Sequence, residues 1–134
     1  MKPGMLHHIE LYVSNLSASL EFWGWLLETL NYQPYQSFTG GQSWKLNDTY
    51  LVFVEAEEAY KTPPYHRKQI GLNHLAFHAA SRTQVDLITE ALRAKGYQIL
   101  YQDQHPYAGG PDYYAVFVED PDRIKVEIVA PTKA

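Results

Sequence analysis

Apolar and polar residues alternate with period two in two distant stretches of the chain, the pattern of a strand that leans one face on a core. In residues 72–79, Leu75, Phe77 and Ala79 share one face while His74, Ala76 and His78 share the other. In residues 6–13, Ile9, Leu11 and Val13 form the apolar face, and His8, Glu10 and Tyr12 lie opposite. A third alternating stretch, residues 125–129, puts Val126 and Ile128 on one side and Glu127 on the other. Each strand therefore offers a core face and a second face headed by a histidine or a glutamate.

Between these strands the period changes. Leu20, Phe22, Trp23, Leu26, Leu27 and Leu30 recur at helical spacing and predict a helix over 18–30 that lies across a sheet. Ser14, Asn15 and Ser17 offer capping side chains, with Ser17 and Glu21 placed to cap the helix start, and Asn31 can end it. Gly24 in its interior costs about 1 kcal/mol against alanine and points to a close approach there. Residues 32–38 read as a strand that Pro34 confines to an edge or to an irregular start. Gly40-Gly41 and Asn47-Asp48 are turns, so 43–47 and 50–55 complete a hairpin.

Pro63-Pro64, among charged and aromatic residues without periodicity, marks a linker of about 57–71. The order then repeats. Ser81 caps a helix carrying Val85, Leu87, Ile88, Ala91 and Leu92, and Gly96 closes it. A strand is expected over 97–102, then a loop over 103–112 whose His105 and Tyr107 could cover a cavity mouth, then a hairpin of 113–119 and 125–129 around Asp120-Pro121-Asp122-Arg123. The result is a single domain over 1–134, with repeat one at about 5–56 and repeat two at about 72–130. His8 and His74 open the first strand of each repeat.

Composition narrows the possibilities. With 46% hydrophobic and 19% charged residues, the 134-residue chain is globular and long enough to bury a core. A formal charge of −4 and no clustered Lys or Arg leave no footprint for DNA or RNA. No cysteine means no disulfide, thiolate metal site or cysteine nucleophile. No apolar run behind the first residues suggests a signal peptide, and none reaches the roughly 20 residues of a membrane span, so a cytoplasmic location is expected.

His8, His74 and Glu127 form a ligand set that leaves coordination positions open on a divalent metal, as substrate binding or water activation requires. The same residues can equally be ordinary strand histidines and a solvated charge. Glu10 and His78 lie one pleat further along the same faces as His8 and His74, as general bases, as orienters of a ligand ring, or as polar residues on a wet face. Tyr12, Trp44, Tyr50, Tyr107 and Tyr113 could line a pocket for a small organic compound, or simply pack.

The tandem strand-helix-three-strand units, Leu6-His7-His8-Ile9, Leu72-Asn73-His74-Leu75-Ala76-Phe77-His78 and Glu119-Asp120-Pro121-Asp122-Arg123-Ile124-Lys125-Val126-Glu127 resemble the vicinal oxygen chelate superfamily of glyoxalases, extradiol dioxygenases, fosfomycin-resistance enzymes and bleomycin-binding proteins. The resemblance implies an α+β fold of two βαβββ repeats forming a curved mixed sheet around a metal-centred cavity. It further implies a divalent ion (Zn, Mn, Fe, Ni or Co) on His8, His74 and Glu127, and a homodimer. Glyoxalases of this group add a glutamate on the last strand of the first half; here Phe53 is expected in that position on the cavity wall, with Glu55 one pleat away. The implied activity is that of a lyase, isomerase or dioxygenase on a small substrate bearing two vicinal oxygens, with Glu10 and His78 as catalytic proton-transfer groups. The alternative is a metal-free protein that sequesters a small aromatic or peptide-like compound.

Overall fold

In the computed structural model, which describes residues 2–132, the first alternating stretch becomes strand β1, His8–Val13, with Leu11 and Val13 buried and His8, Glu10 and Tyr12 exposed. Helix α1, Leu16–Thr29, follows. It starts two residues before the apolar stripe indicates, so its cap is Asn15, whose side chain accepts the Ala18 amide, and not Ser17. Leu30 closes the helix and Asn31 turns into the left-handed region at φ 73°. Strands β2 (Gln33–Phe38), β3 (Gly41–Leu46) and β4 (Thr49–Glu55) then complete a sheet of order β1-β4-β3-β2, with β1 parallel to β4 and the rest antiparallel. Strand β2 sits at the edge, where Pro34 removes no needed ladder donor, and its pairing shifts between Pro34 and Ser37.

Strand register decides which residues share a face. His8 lies opposite Tyr50, Glu10 opposite Val52 and Tyr12 opposite Val54, and Ser43 opposite Val52 adds to the same side. The other side carries Leu11, Val13, Trp44, Leu51 and Phe53 and packs on α1, whose Phe22, Trp23, Leu26 and Leu27 are fully buried. This first unit is Met1–Pro64.

The second unit, Tyr65–Ala134, has strand β5 (His74–His78), helix α2 (Arg82–Lys95), and strands β6 (Ala115–Glu119) and β7 (Lys125–Val129). Its sheet order is β5-β7-β6, with β5 parallel and β6 antiparallel to β7. Ser81 caps α2 by accepting the Gln84 amide, and Gly96 ends it at φ 82°. Each unit is a mixed sheet of four or three strands with one helix, a mixed α+β architecture.

The strand expected over 97–102 does not form. Leu100 donates to Phe117 and Gln98 accepts from Glu119, so Ile99 makes a single bridge to Val118. Tyr101 then enters the left-handed region at φ 55° and cuts the ladder. The expected linker is also only partly a connector. It begins with a single 3-10 turn, Glu58–Tyr60, in the first unit, while Arg67 in its second part binds the Glu119 carboxylate of the second unit.

Gly24 meets the close approach its position announces. A Cβ there would stand 2.9 Å from Cζ2 of Trp44, and that indole is pinned by its Nε1–H donating to Glu28 at 2.9 Å and by an edge contact with Phe53. Alanine gains about 1 kcal/mol of helix propensity, but overpacking a pinned ring costs about 1–3 kcal/mol. Gly24→Ala is therefore expected to lower the urea midpoint with an unchanged slope. A variant more stable than the wild type would mean that the ring slides aside freely.

Candidate metal centre

The connection between β6 and β7 sets the geometry of the second unit. Asp120 is buried, and its Oδ1 accepts the amides of Asp122 and Ile124, each at 2.8 Å. Its own amide donates to the Ile124 carbonyl, and Arg123 takes the left-handed conformation at φ 67°. With the turn locked, Phe117 pairs with Glu127 and Val118 with Val126. Val116, Val118, Val126 and Ile128 go to the helix side, all fully buried, while Phe117, Lys125 and Glu127 share the other side with His74 and Ala76.

Glu127 is 2% exposed, so both carboxylate oxygens need partners. Oε1 lies 3.2 Å from Nε2 of His74, and Oε2 accepts the hydroxyl of Tyr113. That bond, followed by desolvation, pushes the Tyr113 hydroxyl from its ordinary 10.0 up to about 12. The Tyr113 ring lies where a Cβ on Gly109 would stand, so the side-chain-free position in the loop admits the ring. His105 and Tyr107, expected over a cavity mouth, turn elsewhere. Tyr107 meets the edge of Tyr114, whose hydroxyl donates to Asp86 on α2, and His105 feels Arg93, Asp86 and Glu90 of the same helix. Burial, first, and then Arg93 hold the His105 ring below the usual histidine range.

The other nitrogen of His74, Nδ1, lies 2.7 Å from Oδ1 of Asn73. A neutral His74 ring has one N–H: on Nε2 it donates to Glu127, and on Nδ1 it donates to Asn73 and frees the Nε2 lone pair, the tautomer a metal ligand requires. Two ligand atoms on one ion, each at about 2.0–2.2 Å, stand roughly 3.0–3.5 Å apart, and the Nε2 to Oε1 spacing of 3.2 Å lies in that range. The donor set and the spacing both fit a divalent cation. Among the described residues no group of three or more His, Cys, Asp or Glu is gathered closely enough to hold one; in the second unit the pair is His74 and Glu127.

In the first unit His8 is exposed, stacks on Tyr50 at 4.8 Å between centroids, and has its Nδ1 2.9 Å from Nδ1 of His7. The residue preceding each histidine, His7 or Asn73, thus engages Nδ1 in both units. Glu10 lies on the His8 face opposite Val52, and His78 on the His74 face opposite Val129; both are exposed. Tyr12 and Tyr50 also lie on the His8 face, whereas Trp44 is in the helix-side core.

Phe53 is not on a cavity wall. It lies on the face that packs on α1, fully buried, stacked on Trp23 at 4.9 Å between centroids. Parity groups Leu51, Phe53 and Glu55 correctly, but pairing with β1 assigns that group to the helix side. Glu55 is drawn there too. It accepts the Leu16 amide at 2.9 Å and pairs with Lys61, and these interactions, the amide first, hold its carboxyl below the usual range. Comparing the parallel pairs identifies the true counterpart of Glu127. His8 faces Tyr50 as His74 faces Lys125, so two residues on, Val52 corresponds to Glu127.

Because the folded state raises the Tyr113 pKa from 10.0 to about 12, the stabilisation from its bond to Glu127 is complete below pH 10 and is lost as pH rises toward 12. The stability difference between wild type and Tyr113→Phe should accordingly be flat below pH 10 and shrink above it. In Glu127→Gln, tyrosinate absorbance should begin to appear at lower pH than in wild type. A stability difference indifferent to alkaline pH would remove Glu127 as the cause.

Comparison with known proteins places these features. Residues 5–128 match the model of the Glyoxalase/Bleomycin resistance protein/Dioxygenase superfamily. The uncharacterized protein YqjT of Bacillus subtilis is 61% identical over 127 residues, covering 95% of this chain and 99% of that protein. The crystal structure of a candidate glyoxalase from Bacillus halodurans is 60% identical, covers 96% of this chain and 97% of its own, and has a TM-score of 0.95. A point mutant of the fosfomycin resistance protein FosX from Listeria monocytogenes, complexed with Mn(II) and dihydroxypropylphosphonic acid, shares the fold at 22% identity, covering 98% of this chain and 93% of its own, with a TM-score of 0.69. On the family match across nearly its whole length, this chain belongs to the glyoxalase/bleomycin resistance protein/dioxygenase superfamily.

Proposed function

We propose that this protein is a divalent-metal-dependent enzyme of the lyase, isomerase or dioxygenase type, acting on a small substrate that chelates the metal through two vicinal oxygens. The observation that carries the proposal is the buried Glu127 carboxylate at 3.2 Å from a His74 ring whose second nitrogen is already engaged by Asn73. His8 supplies the third protein ligand, on its equivalent position opposite β4 and the matching engagement of its Nδ1 by His7. The ion, one of Zn, Mn, Fe, Ni or Co, supplies Lewis acidity at the substrate oxygens. Homodimerisation belongs to the same proposal.

The chain's own residues divide the remaining work. Asn73 and His7 orient the ligand rings, and the Tyr113 hydroxyl fixes the rotamer of Glu127. Glu10 and His78, exposed on the His8 and His74 faces, move the substrate proton. Val52 stands where the second unit has its carboxylate, so this set has three protein ligands and leaves a further position for substrate or water.

Metal-stripped, untagged protein titrated by calorimetry should take up one divalent ion per chain. His8→Ala, His74→Ala and Glu127→Ala should each weaken uptake by at least about a hundredfold, and Asn73→Ala by about ten- to a hundredfold. No uptake, together with tight binding of a small aromatic compound, would instead identify a sequestering protein.

The three-ligand set makes a second prediction. Metal-loaded wild type should turn over the glutathione hemithioacetal of methylglyoxal poorly, and Val52→Glu should tighten metal binding, whereas Phe53→Glu should only destabilise the fold. Robust wild-type turnover of that hemithioacetal would refute the assignment of Val52.

A further inference from the structure

We infer that the His74–Glu127 face carries an anion-binding point at Lys125, so that the substrate is a small organic acid whose carboxylate reaches Lys125 while its vicinal oxygens chelate. The inference deepens the function proposed above and rests on it for the chelating half. Lys125 lies on the Glu127 face of β7, directly opposite His74 on β5. It stands two steps along the strand from Glu127, with Val126 between them, a distance of about 6.5–7 Å. A compact molecule spans that distance.

The ammonium is held in place rather than dispersed in solvent. Its Nζ donates to the Tyr101 hydroxyl at 2.9 Å and stands 5.1 Å and 5.3 Å from the ring centroids of Tyr101 and Phe117. Phe117 is buried, and Tyr101 is held by the left-handed backbone that interrupts the ladder beside β6. The carboxylates that share its face are already committed. Glu119, its cross-strand partner on β6, binds both Arg67 and Arg123, and Glu127 is taken by His74 and Tyr113.

Lys125 forms none of the ion pairs among the described residues. One of its three N–H donors is used by Tyr101, leaving two for an incoming oxyanion. A half-buried, positioned and unneutralised cation on an otherwise apolar and carboxylate-bearing face is the arrangement that selects an acid over its neutral analogue.

The test compares two probes with the same pair of vicinal oxygens, catechol and 3,4-dihydroxybenzoate, in wild type and Lys125→Met by calorimetry on metal-loaded protein, with benzoate on metal-free protein as the non-chelating control. The acid should bind at least about tenfold more tightly than catechol to the wild type. Lys125→Met should abolish that preference and leave catechol affinity unchanged, while Lys125→Arg should keep most of it. Benzoate should bind weakly to the metal-free wild type and not at all to Lys125→Met. Equal binding of acid and catechol, or a preference that survives Lys125→Met, would overturn the inference and leave metal chelation standing. Benzoate binding that depends on Lys125 in a protein that takes up no metal would do the reverse, keeping the anion point and removing the chelating half.

Discussion

The register of β7 is the constraint on which the second unit depends. A strand's side chains alternate with a period of two, so a slip of one residue would turn Glu127 and Lys125 toward α2 and Val126 and Ile128 toward the His74 face. Asp120 prevents the slip. Its carboxylate accepts the Asp122 and Ile124 amides in a turn too short to absorb an extra residue, and β6 and β7 leave that turn paired residue for residue. The core and the chemical face are thus two results of one local hydrogen-bonded turn.

The two units share this logic but differ in what they bury. In the second, a carboxylate is 2% exposed, tolerable because a ring nitrogen and a phenol supply its two partners. In the first, the corresponding position is Val52, 4% exposed, beside the buried Ser43, whose hydroxyl accepts the Gln36 amide. A valine there needs no partner and adds nothing a cation would bind. Repetition of the backbone has been kept while the side-chain chemistry has been assigned unequally.

Much of this was legible in the sequence. The alternations around His8, His74 and Glu127 gave strands and faces, the Ser81 and Gly96 signals bounded α2, and Gly24 announced the Trp44 contact. The failures have physical causes. Parity tells which residues of β4 share a face, but only pairing with β1 tells which way that face looks, and so Phe53 was expected on the wrong side. The segment after Gly96 has strand-like residues, yet a left-handed Tyr101 interrupts it. Asn73 and His7 sit next to the histidines in sequence, where alternation alone sends neighbours to opposite faces, so their side-chain contacts with Nδ1 leave no trace in the pattern.

Gly109 lies in a loop outside the three strands and bears no functional group, yet its missing side chain is the space the Tyr113 ring occupies. Since Tyr113 satisfies one oxygen of Glu127, the electronic character of that carboxylate is governed in part from a position that touches no ligand. For anyone diversifying this scaffold, position 109 is a remote dial. A bulkier residue there displaces the phenol and takes from Glu127 one of its two partners without replacing either residue of the His74–Glu127 pair.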